Sequence, residues 1–87
     1  MKPETRAAID QANREWNEAN ADVEFLCHAV GGFPEGHQIH AELLGMLTEA
    51  RAKRSDAGGR HAAAMLKGLE EIKEEAAGSP RPVEALA

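Results

Sequence analysis

From Ile9 to Val30 the residues Ile9, Ala12, Trp16, Ala19, Val23, Leu26 and Val30 recur at alternating steps of three and four, the spacing that lays one apolar stripe along a helix. Such a stripe has to be covered by a partner helix. Pro3 suits a first helical turn and Glu4 the positive end of a helix, so the first helix is expected over about residues 3–30. Gly31-Gly32 ends it, and Pro34 with Gly36 supplies the turn chemistry of a connection.

A second helix is expected over residues 36–55, with Ile39, Leu43, Met46 and Ala50 on one stripe and Leu44 and Leu47 beside it. Gly58-Gly59 then favours a break, because two glycines inside a helix cost about 2 kcal/mol. A third helix over 60–77 carries Ala62, Met65, Leu69, Ile72 and Ala76, with Leu66 adjacent. Leu47 and Met65 are five helical turns apart, so the second and third helices would also stay in phase as one. Gly78 and the Ser79-Pro80-Arg81-Pro82 run stop the helix, and residues 79–87 read as a flexible tail.

Composition agrees with an all-α single domain. Tyrosine is absent, valine and isoleucine number three each, and 17 of the 87 residues are alanine. The expected architecture is a small three-helix bundle built on a long N-terminal helix and an antiparallel hairpin. Few large apolar side chains remain to fill a core of this size, so self-association into a homo-oligomer is expected. No apolar run has the length of a membrane span, and the first ten residues lack the apolar core of a signal peptide. With Cys27 as the sole cysteine there is no internal disulfide, and a cytoplasmic location is expected.

The net charge of −5 is unevenly placed. The acids dominate over residues 1–50 and 61–77, which argues against direct nucleic-acid binding and for encounter with a basic protein surface, such as that of a nucleic-acid-handling complex. Glu70, Glu71, Glu74 and Glu75 are the candidate partner-binding face. The basic exception is Arg51, Lys53, Arg54 and Arg60 around Gly58-Gly59; a glycine turn opening a helix would offer free N–H groups to an anion. In an oligomer that turn would hold a small nucleotide-like ligand between copies.

Cys27, His37 and His40 flank the expected connection and are candidate zinc ligands for a metal-stabilised hairpin. No cofactor is otherwise implied. No nucleophile, base and orienting group occur at a spacing that brings them together, so no catalytic residue is assigned and a non-enzyme is expected. Pro34-Glu35-Gly36 followed by a helix with Glu49-Ala50 is similar to a segment of phage helical-hairpin proteins that sequester cyclic-nucleotide immune signals. The interval and the leucines are out of register with that pattern, so no residue role is carried over. The resulting expectation is a stoichiometric inhibitor or adaptor, of the kind used by phages and mobile elements in counter-defence, with anion sequestration and a zinc hairpin as alternatives.

Overall fold

The computed structural model describes residues 1–78, which form two antiparallel helices, α1 (Pro3–Gly31) and α2 (Gln38–Gly78). All described regular structure is helical. The expected tail, residues 79–87, lies outside the described residues. The connection is built as its sequence dictates. The Gly32 N–H donates to the Ala29 carbonyl at 3.1 Å and the Phe33 N–H to that of Val30 at 3.2 Å, closing the last turn of α1. The His37 N–H then donates to the Pro34 carbonyl at 3.2 Å around Gly36, whose φ of +86° is the left-handed conformation that favours glycine. His37 caps α2: its Nδ1 accepts the Ile39 N–H at 3.1 Å.

The two helices meet along one seam with a seven-residue repeat. On α1 it is Thr5, Ile9, Ala12, Trp16, Ala19, Val23, Leu26 and Val30, every one buried or half-buried. On α2 it is His40, Leu43, Leu47, Ala50, Arg54, Ala57, His61, Ala64, Gly68 and Glu71; with Gly58, these are all the residues of α2 that are not exposed. A seven-residue repeat is the signature of a left-handed coiled coil. Near the connection the seam is aliphatic, with Val23, Leu26, Leu47 and Ala50 buried together and Val30 and Leu43 against them. Further along, large side chains of α1 enter gaps left by small residues of α2. Ile9 and Met1 lie over Gly68, and Trp16 lies over Gly58 while stacking on His61 with ring centroids 5.1 Å apart.

The expected three-helix bundle does not form. α2 runs unbroken through Gly58-Gly59, because the first glycine is where Trp16 reaches the helix: a Cβ there would stand 3.2 Å from the indole Nε1. Close packing of that ring, with Ala57 only 2% exposed beside it, offsets the intrinsic cost of the glycines. The hairpin is accordingly long and thin, 73 × 22 × 13 Å. Its radius of gyration of 20.8 Å compares with about 12 Å for a compact domain of this length. Among the described residues no side chain is completely buried, and nine large apolar residues are exposed.

Candidate functional site

In an α-helix each residue stands about 100° round the axis from the one before it. Residues that precede a seam position therefore share one side of the hairpin, and residues that follow one share the other. The first side, the Phe25 face, holds Phe25, Met46 and Ile39 near the connection. Phe25 is 70% exposed and Met46 53%. Together with Asp22, Glu49 and Lys53 they line an open groove of ≈ 280 Å³ floored by Leu26 and Ala50. The same face carries nine carboxylates, Glu4, Glu15, Glu18, Asp22, Glu42, Glu49, Asp56, Glu70 and Glu74, against three cations, Lys53, Arg60 and Lys67. An apolar anchor set in a strongly acidic surface is the result.

Only half of the expected four-glutamate face belongs to it. Glu70 precedes a seam position, Glu74 lies one turn further along the same side, and both are exposed, whereas Glu71 is buried in the seam and Glu75 turns back toward α1. The Glu71 Oε1 accepts the Lys2 backbone N–H at 3.1 Å, and Glu75 pairs with the Met1 ammonium. These two carboxylates serve the positive N-terminus of α1, where Lys2 has no capping side chain of its own. The Glu71 carboxyl is held below its ordinary pKa, first by the Thr5 hydroxyl beside it, then by the Lys2 N–H and the Lys2 and Lys67 charges, against the opposing effect of burial. Four glutamates at helical spacing look alike in sequence. Only the length of α1 decides which of them meet its first turn.

The expected anion turn is likewise divided. Gly58 and Gly59 lie within α2, so their N–H groups belong to the helix ladder and present no anion nest. Arg51 and Arg54 line a groove of ≈ 470 Å³ with Trp16, Asn20, Ser55 and Gly58. Lys53 and Arg60 stand on the opposite side, among Glu15, Glu18 and Asp22, and the Arg60 Nε lies 3.5 Å from Glu15 Oε2. There two bases of α2 stand opposite three acids of α1, a local match of charge across the seam.

Cys27, His37 and His40 are not gathered into a ligand set. Among the described residues no group of three or more His, Cys, Asp or Glu side chains is placed to hold a metal ion. Cys27 is exposed, the His37 Nδ1 is taken by the cap of α2, and His40 opens the seam. No helix among the described residues is long and apolar enough to cross a membrane.

The second side, the Leu69 face, was only partly anticipated. Ala62, Met65, Leu69 and Ile72 each follow a seam position by one residue and Ala76 continues their spacing, so the stripe expected to form a core points away from α1. Met65, Leu66, Leu69 and Ile72 are all exposed. No protein-family model, curated protein or solved structure matches the chain.

Proposed function

We propose that the protein is a non-enzymatic, stoichiometric binding module whose Phe25 face captures a basic protein surface, as an inhibitor or adaptor. The observation that supports it most is the exposed Phe25–Met46 pair set between Asp22 and Glu49. Apolar anchors rimmed by charge are how helical surfaces take an amphipathic segment: the anchors supply affinity, and the acids supply steering and exclude acidic competitors. The partner's complementary feature is a helix or loop with apolar residues flanked by Lys or Arg, as found on proteins that handle nucleic acids. A counter-defence role fits this mode of action.

The test is affinity capture from cells that express the protein. Phe25→Ala with Met46→Ala, or Asp22→Lys with Glu49→Lys, is expected to release the partner while circular dichroism remains helical. A partner retained by both variants would refute this reading. Glu71 and Glu75 are left out of the charge reversal because they hold the N-terminus of α1.

Sequestration of a small anion is a second reading, supported by the arrangement of Arg51 and Arg54 in one groove with the Trp16 ring, Asn20 and Ser55. Two guanidinium groups beside an aromatic edge suit a phosphate attached to a base. Calorimetric titration with mono- and cyclic nucleotides checks it. Heat that is lost in Arg51→Ala with Arg54→Ala supports it, and absence of heat in the native protein dismisses it.

A further inference from the structure

We propose that the Leu69 face is a self-complementary dimer interface, on which a second copy of the chain lies antiparallel across α2 with the two-fold axis at Leu69. The proposal stands on the opposite side of the hairpin from the Phe25 face and does not depend on the function read there. The first ground is the thickness of the fold: two helices give one seam, yet α2 carries a second apolar stripe a fixed 100° round from it. Ala62, Met65, Leu69, Ile72 and Ala76 keep steps of three, four, three and four, which is a seam in its own right and has no helix of the described residues against it.

The order of sizes along that stripe identifies the occupant. It reads small, large, large, large, small, and is symmetric about Leu69. A two-fold at that point sets Leu69 on the partner's Leu69, Met65 on the partner's Ile72 and Ala62 on the partner's Ala76. Isologous interfaces require this property, that a surface be complementary to itself when reversed. Leu66 flanks the stripe, and the antiparallel register puts it beside the partner's Lys73, whose aliphatic stem covers it while the ammonium stays in water.

Charge agrees with the same axis. The N-terminal third of α1 lies alongside this part of α2, as the packing of Ile9 on Gly68 shows. Arg6 and Asp10 each follow a seam position, so both stand on the Leu69 face, exposed and in no ion pair among the described residues. They are opposite in sign and one helical turn apart, so antiparallel copies place Arg6 near the partner's Asp10 and Asp10 near the partner's Arg6. A parallel arrangement would set like against like.

The test is sedimentation equilibrium of the full chain over a range of concentrations, with three sets of variants. The native protein is expected to approach twice its 9.3 kDa chain mass. Leu69→Glu is expected to leave the monomer, with helical circular dichroism retained because Leu69 is already 50% exposed in the hairpin. Arg6→Asp is expected to weaken the dimer, and adding Asp10→Arg to restore it. In a Cys27→Ser background, Leu69→Cys is expected to form an interchain disulfide on mild oxidation, which tests the axis even if Leu69→Glu misfolds. A native chain that stays monomeric at every concentration overturns the proposal. So does a dimer that survives Leu69→Glu, or one in which Leu69→Cys does not cross-link. Capture of a partner through the Phe25 face by monomeric Leu69→Glu would separate the two faces.

Discussion

Trp16 Nε1 lies 3.2 Å from the point a Cβ on Gly58 would occupy, while a Cβ on the next residue, Gly59, would meet nothing within 4 Å. Neighbouring glycines in one helix thus have opposite reasons to be there. Gly59→Ala is expected to stabilise the hairpin by about 1 kcal/mol, the difference in helix propensity, with no packing cost. Gly58→Ala gains the same propensity but must push the indole away by a few tenths of an ångström, so its net effect is expected to be near zero. Urea denaturation of the two variants checks the pair. Equal gains would mean that Trp16 does not need the glycine.

The aliphatic end of the seam and the outward stripe should respond differently to truncation. Leu47, among the most buried of the large side chains, is expected to cost about 2–4 kcal/mol as Leu47→Ala. Leu69→Ala, measured at concentrations low enough to leave single chains, is expected to cost less than about 1 kcal/mol, since the hairpin already leaves that side chain half in water. Thermal melts at several concentrations distinguish the two. A large loss at Leu69 that does not depend on concentration would place it in a core of its own chain.

That contrast marks what hydropathy can and cannot reveal. The α1 stripe was legible from Ile9 to Val30 because its seam positions are the apolar ones, and the Pro34–Gly36 connection was legible because turn geometry demands those residues. The α2 seam was legible at Leu43, Leu47 and Ala50, which lie in it as the periodicity suggests, and was not legible beyond them. Its further positions hold Arg54, Ala57, His61, Ala64, Gly68 and Glu71, while the larger apolar residues sit one step round the helix. A periodicity search follows the larger residues and therefore finds the outward stripe. The available signal was the seven-residue spacing of Ala50, Ala57 and Ala64, small residues at seam positions that let the two helices approach closely. The four-glutamate face divides for a related reason: sequence spacing gives which glutamates share a helix, and only the pairing partner gives which ones face it.

Gly36 carries the connection at φ +86°, and the left-handed region costs a residue with a Cβ about 1–2 kcal/mol. Gly36→Ala is expected to destabilise the hairpin by about that amount, whereas Gly45→Ala, in the exposed interior of α2, is expected to stabilise it by about 1 kcal/mol. Melting temperatures that move in the same direction for both would contradict the turn geometry.

Glu71 ties the first turn of α1 to the far end of α2, and its carboxyl sits below the ordinary value of 4.5 because of the Thr5 hydroxyl, the Lys2 N–H and the nearby lysine charges. A carboxyl with a depressed folded pKa holds fewer protons folded than unfolded, so its stabilisation is complete above pH 4.5 and is lost as the pH falls through the lower folded value. Native protein is therefore expected to be more stable than Glu71→Gln at neutral pH and to lose that advantage in the acid range. Thr5→Val is expected to shrink the pH-dependent part, because it removes the largest influence on the carboxyl while keeping the shape of the seam. Denaturation midpoints of the three proteins from pH 7 downward provide the measurement. A native advantage that stays constant to the lowest pH would mean that Glu71 acts through its packing and not through its charge.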